Sequence, residues 1–413
     1  MITQALRIAI VGGGIGGLTL ALALRQRGIE AEVYEQAPEL TEIGAAVALS
    51  ANSTRELRRL GVIEALTAVS TEPSELIYRN WRDASRIAAH PVHENLRYQE
   101  LCGAPYFGIH RADLQRILNG GLAGAGLHLG HRLIELTDQG GAIGLTFANG
   151  STAEADLVVG ADGVRSLVRR FVTGGEDAVF SGTSAFRGIV PVDRLPSLPD
   201  PRAIQFWMGP DAHLLHYAIG AGGEAVNFFA VVESPKIWPN AEKWVDNIEP
   251  GEAVAAFKGW HPAVIEMIAA QSPTARWALF GVRPLLHWFR GGAVLLGDSA
   301  HGMLPHHGQG ANTTIEDAIT LAELLPGATP GGLPSVLAHY QSLRRARTRK
   351  IQRSSWVTNA LLHLPDGPLL ADREQRVSRF PEKFGWIHQF DALQAARDSK
   401  QRIDSATAVS AHT

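Results

Sequence analysis

The chain has 413 residues, 45% of them hydrophobic, with a formal net charge of −3. That length supports an ample core in about two domains, and the near-neutral balance argues against a nucleic-acid surface. Cys102 is the only cysteine, which excludes an intrachain disulfide and fits a reducing, cytoplasmic setting.

Ile8–Val11 reads as an apolar strand running into Gly12, Gly14 and Gly17. A helix-like run, Leu18–Arg27, follows, and then a second strand, Ala31–Tyr34, ending at Glu35. This is the βαβ fingerprint for an ADP-bearing dinucleotide. Gly12 permits the tight turn, Gly14 lets the backbone approach a pyrophosphate, and Gly17 lets helix pack on strand. Free N–H groups at the helix start face the phosphates, and Glu35 can accept hydrogen bonds from a ribose diol. Ile8–Leu24 carries no charge over 17 residues, but five glycines interrupt it. The strand–turn–helix reading explains it better than a signal peptide or a membrane span, and no membrane span is expected.

Ser53–Leu60 reads as a helix ending at Gly61, and His110–Leu118 as another, with Asp113 and Gln115 in its early turns. Gly120–Gly126 looks like a second glycine cluster. It follows a helix rather than a strand, so it reads as a helix end and a loop into Leu127–Leu129. Leu157–Gly160 is a buried-type strand, closed by Asp162-Gly163. Residues 176–280 then hold short alternating runs: Ala185–Val190, Ala203–Met208, Leu214–Ile219 and Val226–Val232. Gly220–Gly223 forms a hairpin turn between the last two. Ala293–Leu296 returns to the buried-strand pattern and ends in Gly297-Asp298. Helices are predicted from about Thr313 to Leu325 and from Leu333 to Ser355. The basic run Arg344–Lys350 reads as the solvated face of the latter. The last fifty residues, with Pro365-Asp366-Gly367-Pro368, have no legible packing.

Three sites point to FAD rather than NAD: the amino-terminal fingerprint, the Gly160–Ser166 strand and turn, and Gly297–His301. After the last comes a glycine loop, Pro305–Asn312, opening a helix. Bare backbone N–H groups and a positive helix end suit the negative N1–C2 edge of a reduced flavin. Only one full GxGxxG is present, so a nicotinamide donor has no Rossmann domain of its own.

At these residues the chain resembles the single-component FAD-dependent aromatic hydroxylases of the para-hydroxybenzoate hydroxylase fold. Tyr106–Leu114 (YFGIHRADL), Ala185–Gly188 and Leu364–Pro368 resemble in particular the salicylate, 3-hydroxybenzoate and 6-hydroxynicotinate hydroxylase branch. The resemblance implies an α/β fold. A Rossmann-like FAD-binding domain (1–72, 106–175 and 281–330) is joined by a mostly antiparallel β-sheet substrate domain (73–105 and 176–280). A C-terminal helical region (331–413) follows. It implies that Arg111 contacts the FAD, that Asp162 helps structure the FAD and NAD(P)H side, and that Asp298 binds the ribityl or ribose region. Gly310, Ala311 and Asn312 then open the helix against the flavin. Pro305 departs from the glutamine of the 3-hydroxybenzoate enzymes, which weighs against that substrate.

In such enzymes NADH or NADPH binds transiently and reduces FAD, and O2 then yields a flavin C4a-hydroperoxide that hydroxylates a phenolic or hydroxy-N-heteroaromatic ring. With a salicylate-like substrate CO2 is lost. A phenol reacts far better as phenolate, so a base is sought. In Trp207–Ile219, side chains two apart share a face of a strand, which places His213, Leu215 and Tyr217 together. The branch has a His and a Tyr at this spacing. His213 is therefore the candidate base or phenolate partner, with Tyr217 beside it. The alternative is that both are half-buried sheet residues with local hydrogen bonds. His306 or His307 lines the substrate site, and the other caps the helix. Arg165 and Arg187 read equally well as structural ion-pair residues. His301, His306 and His307 lack a partnering acid cluster, and no metal is expected. The partners implied are a small aromatic substrate, O2 and NAD(P)H, in a monomer or homodimer. Two alternatives remain: a tailoring hydroxylase or epoxidase on a larger natural product, and a flavin reductase or oxidase without oxygen insertion.

Overall fold

A computed structural model describes residues 5–40, 46–93, 96–122, 126–175, 177–234, 237–238 and 244–410, with side chains as far as Arg402. Strand Ile8–Val11 is buried at all four residues, as befits the interior of a parallel sheet covered on both faces. The six strands lie in the order Phe289–Arg290, Ala293–Leu295, Leu157–Gly160, Ile8–Val11, Glu32–Tyr34, Leu127–His128. All neighbours are parallel except the hairpin at the Phe289 edge. Leu127–His128, into which the loop at Gly120–Gly126 is expected to lead, completes the far edge; residues 123–125 lie outside the described residues.

The first helix, Ile15–Arg25, starts three residues earlier than its apolar run suggests, because the glycine turn itself winds into the helix. Gly12 has φ +111°, and a Cβ on it would stand 2.3 Å from the Ala161 carbonyl oxygen. A Cβ on Gly17 would stand 1.9 Å from the Gly12 carbonyl oxygen. Glycine at these two positions is thus what lets strand, turn and helix cross. Ile15–Leu24 is buried throughout against this sheet. No helix among the described residues is long and apolar enough to cross a membrane.

A second, eight-stranded sheet runs Val245–Asn247, Ala275–Gly281, Val179–Pro191, Ala225–Glu233, Ala212–Ile219, Ile204–Gly209, Glu75–Asn80, Arg86–Pro91. Its neighbours are antiparallel apart from Ile204–Gly209 beside Glu75–Asn80. Side chains alternate between its faces. Trp207, Leu214 and Phe228 pack beneath Pro262–Gln271, whereas Phe206, Leu215 and Tyr217 face the other way, toward Leu362 and Val377. A ribbon of Ala46–Leu49 and Phe107–His110 bridges to the parallel half. Gly108 makes that bridge possible, since a Cβ there would lie 2.2 Å from the Ala218 carbonyl oxygen on the large sheet.

The carboxyl-terminal helices correct several expectations. The helix after the glycine loop is Gly310–Leu324, one turn earlier than the periodicity suggests. The next, Leu333–Leu362, runs seven residues past Ser355 and is about 45 Å long. Leu370–Ser378 then packs on the edge strand Arg86–Pro91, while Phe380–His388 and Ala392–Ser410 return to the helix Ala51–Arg59, the latter also meeting Gly310–Leu324. The basic run is not simply a solvated face. Arg345, Arg349 and Lys350 are exposed, but the side chains of Arg344 and Arg347 are only 1% and 8% exposed. Spaced i, i+3, those two share a helix face. That face meets the fully buried Glu316 and Asp317. Arg344 reaches Glu316 Oε2 and Asp317 Oδ1, both at 2.6 Å, and Arg347 reaches Glu316 Oε1 at 2.7 Å. His301 holds the other Asp317 oxygen at 2.5 Å. A charge run read along one helix cannot reveal carboxylates on another.

Burial raises the pKa of both acids, but the facing cations outweigh it and hold Glu316 and Asp317 below their ordinary values. Their depressed values mean that their contribution to stability is complete at neutral pH and is lost as pH falls from about 4 downward. Replacing Arg344 with Leu should cost about 3–5 kcal/mol, because two buried carboxylates lose a partner. Urea unfolding at pH 7 measures this, and a loss under about 1 kcal/mol would show the network to be dispensable.

Candidate active site

The glycine turn leaves one helix end open. Gly14 is the N-cap of Ile15–Arg25, with no side-chain cap and no acid in the first turn, and a Cβ on Gly14 would meet nothing within 4 Å. Glu35 stands beside it. Its Oε2 accepts the Gly13 N–H at 2.6 Å and its Oε1 the Ala37 N–H at 2.8 Å. A carboxylate has about four acceptor sites, so capacity remains for a ribose diol. The second open helix end is Gly310–Leu324, whose N-cap Gln309 makes no side-chain capping bond and whose first turn holds no acid. The exposed Asp298 lies against it, 3.7 Å from where a Cβ on Gly310 would sit. Two uncapped positive helix ends, an exposed acid and a bare glycine surface fit a long ligand with a pyrophosphate and a polyol, as FAD is.

The structure sorts the remaining cofactor candidates. Asp162 is a cap: its carboxylate accepts the N–H groups of Leu167 (2.8 Å) and Val168 (3.1 Å) and the Ser166 hydroxyl. It thereby fixes the turn that abuts Gly12. Asn312 is also structural at its side chain. Its Oδ1 accepts the Ser50 N–H at 2.8 Å, and its Nδ2 donates to the carbonyls of Ala48 (2.9 Å) and Gly308 (2.6 Å). What Gly310, Ala311 and Asn312 offer a ligand is therefore backbone. Arg111 opens the helix Arg111–Leu122, half-buried. One turn on, the sequence reading missed Gln115. Its Nε2 donates to the Gly13 carbonyl at 3.4 Å, and its Oε1 is buried without a partner in the described residues. The i, i+4 spacing from Arg111 was the available signal. Arg187 holds its guanidinium 3.5 Å above the Trp277 ring, and Arg165 stands over Trp244.

Between the halves lies a cavity of about 580 Å³. The large sheet supplies Leu76, Ile204, Phe206, Leu215 and Tyr217; the ribbon supplies Ala48 and, at its approach, Tyr106. The turn Pro305–His307 adds His306 and His307, and helix Phe380–His388 closes the space with Phe380, Phe384 and His388. None of these C-terminal residues was assigned a place from sequence. His306 is 3% exposed, and neither ring nitrogen has a partner among the described residues. His307 is tied down, its Nε2 2.8 Å from Ser354 Oγ. The Tyr98 hydroxyl accepts from the Ala51 N–H and so donates to His388 Nδ1 at 2.7 Å.

His213 shares the sheet face of Tyr217, as the alternation predicts, but it does not line the cavity. Its ring packs behind His306, edge to face at a 5.0 Å centroid separation. Its Nδ1 lies 2.7 Å from His363 Nε2. The reason is the C-terminal end of the long helix, which fills the space in front of His213. Burial lowers the pKa of His213 and His306 well below the ordinary value, and neighbouring histidines add to this. It lowers His307 to about 4 and His388 to about 3. Burial also raises the Tyr217 pKa. His306, His307, His388 and Tyr217 thus stand uncharged at neutral pH among apolar side chains, while Arg97 and Glu382 lie exposed at the rim.

Comparison with known proteins agrees with this geometry. A family model described as an FAD binding domain matches residues 5–355. The 3-amino-4-hydroxybenzoate 2-monooxygenase of Streptomyces cremeus is 39% identical, over 94% of this chain and 96% of its own. The 6-hydroxynicotinate 3-monooxygenase of Pseudomonas fluorescens is 33% identical, over 86% and 91%. A solved salicylate hydroxylase substrate complex superimposes with a TM-score of 0.82 at 28% identity, covering 96% of this chain and 98% of that one. A likeness that runs from the glycine turn to the long helix, at this identity and coverage, places the chain in the FAD-binding family of flavoprotein aromatic hydroxylases.

Proposed function

We propose that the protein is an FAD-dependent monooxygenase that uses NAD(P)H and O2 to hydroxylate a small phenolic or hydroxy-N-heteroaromatic ring, with His306 and Tyr217 as the groups that meet the ring hydroxyl. The observation that carries this reading is His306: a buried, uncharged imidazole with both nitrogens unpaired, on the wall of a cavity that also holds Tyr217. A buried polar group left unpaired costs free energy, so an incoming hydroxyl that pairs with it gains affinity and orientation. Bound FAD, once reduced by NAD(P)H, supplies the oxygen-transfer chemistry. The chain's own residues orient the ring, withdraw its phenolic proton and keep water out. Aromatic walls at Phe206, Phe380 and Phe384 suit a flat substrate, and the volume suits one ring with small substituents.

Arg97 is the one arginine or lysine on the cavity wall among the described residues, and it sits exposed at the rim. A substrate carboxylate would therefore point outward to Arg97 and the hydroxyl inward to His306. The cofactor roles proposed are backbone contacts at Gly12, Gly14, Gly17, Gly310, Ala311 and Asn312. Side-chain contacts would come from Glu35, Arg111 and Asp298, while Asp162 shapes the turn.

Purified protein, mixed with NADH or NADPH and a panel of hydroxybenzoates, aminohydroxybenzoates and hydroxynicotinates, should give a product heavier by one oxygen. Donor oxidation without oxygenated product across that panel would reduce the protein to a flavin reductase or oxidase. His306→Ala should lower coupled hydroxylation roughly 10²–10⁴-fold with FAD content unchanged; wild-type coupling in that variant removes His306 from the chemistry. Two glycine variants separate packing from cofactor contact. Gly17→Ala should abolish folding, because its Cβ would strike the Gly12 carbonyl. Gly14→Val should fold and lose flavin, since that side chain meets only the space a pyrophosphate needs. A Gly14→Val protein carrying a full complement of FAD would place the cofactor elsewhere.

A further inference from the structure

His306 stands on the cavity wall yet is only 3% exposed, which raises a question of where a proton it takes can go. Behind His306 a line of side chains leads outward. His213 is 1% exposed, and its Nδ1 lies 2.7 Å from His363 Nε2. His363 Nδ1 in turn lies 2.6 Å from Glu233 Oε1. Side-chain exposure then jumps from 4% at His363 to 47% at Glu233, so the line ends in water. Three separate elements build it. His213 pairs across the sheet with Val231, and Glu233, two residues on, shares its face. His363 caps the helix Leu333–Leu362, and its carbonyl accepts the Asp211 N–H at 3.1 Å, which docks that helix end on the strand carrying His213.

We propose that His213, His363 and Glu233 form a proton exit that carries the hydroxyl proton of the bound aromatic from His306 to solvent. The inference rests on the hydroxylase reading above and extends it to residues outside the cavity. Its direction follows from the bonds. A carboxylate only accepts, so Glu233 fixes the proton of His363 on Nδ1. His363 Nε2 is then an acceptor, which fixes the proton of His213 on Nδ1 and leaves His213 Nε2 free to receive one. On deprotonation the substrate O–H bond breaks and His306 takes the proton. His306, whose ring centroid lies 5.0 Å from that of His213 and whose nitrogens have no hydrogen bond among the described residues, turns and passes it to His213 Nε2. His213 releases its Nδ1 proton to His363, which releases its own to Glu233 and so to water. One proton enters the line and one leaves; each imidazole ends neutral with its proton on Nε2, and the reverse passage of protons from Nε2 to Nδ1 as the rings turn over restores the starting line.

The groups that bear on this line are few. His306 and His363 face His213, His363 and His307 face His306, and Glu233 is the acid in contact with the set. Burial and those like neighbours keep His213 and His306 uncharged at neutral pH, so neither retains the proton it receives. His213, His363 and Glu233 act through His306 and are positioning residues.

Two measurements on the FAD-loaded protein test the exit. In a ¹⁵N-histidine-labelled sample, His213 and His363 should both carry their proton on Nδ1; an unprotonated Nδ1 on either overturns the proposal without reference to any substrate. The second is stopped-flow mixing with 3-amino-4-hydroxybenzoate in weakly buffered solution containing a pH dye. Proton release should be slowed roughly 10²-fold in His363→Gln, which keeps a hydrogen bond to His213 but cannot pass a proton. Glu233→Gln should slow it as well, and Glu233→Asp should restore it. Substrate binding, read from the flavin absorption shift, should be unchanged in all three. Wild-type release rates in the Gln variants, with binding intact, defeat the exit alone. If neither this compound nor any other hydroxylated ring perturbs the flavin spectrum, the hydroxylase reading itself has failed.

Discussion

Two buried carboxylates, Glu316 and Asp317, hold the functional half of the molecule in place. They lie in the middle of the helix Gly310–Leu324, whose amino end is left without a side-chain cap. Ordinary hydrophobic packing would let that helix slide or rotate by small amounts. Charged groups without water do not tolerate this, because each displacement leaves an ion short of a partner. Arg344 and Arg347 clamp the helix from the long helix, and Asn52 joins from a third at 2.6 Å. His301 and the Gly297 N–H (2.9 Å) bind it to the strand end that carries Asp298. The two open helix ends, the acid between them and the histidine turn therefore keep one mutual geometry, as a preorganised site requires.

The cavity expresses a second constraint. Several buried histidines lie close together, and burial keeps them uncharged. Uncharged imidazoles are good acceptors and poor stores of protons. That suits a site where a phenolic proton must leave while water stays out. Apolar walls, unpaired nitrogens and a narrow way to the surface are thus three aspects of one arrangement rather than separate features.

What could be read in the sequence was what the chain encodes locally. The glycine fingerprint is legible because Gly12 and Gly17 solve a steric problem within a few residues of each other. The shared face of His213 and Tyr217 is legible because a strand alternates with period two. The α/β architecture, with a parallel and a mostly antiparallel sheet, follows from the same patterns. The rest depends on partners far apart in the chain. His213 and His363 are separated by 150 residues, and Glu316 and Arg347 by 31 across a helix–helix contact. The side chain of Asn312 joins Gly308 to Ala48, which leaves only its backbone to a ligand, a division of labour that the motif does not reveal. The helices after Leu362 carry no motif; they are shaped by the surface they cover, which a linear reading does not contain.

The helix Leu333–Leu362 links these constraints. Near its middle it grips Glu316 and Asp317. At its far end Ser354 holds His307, and His363 meets His213 just beyond. About 28 Å of continuous backbone separates Arg344 from His363. A rod of that kind converts a local adjustment at one station into a shift at the other, so the open helix end and the cavity wall are geared together. Diversification of the substrate is then freest in the segments downstream of the rod, where a wall can be recut without disturbing the gears.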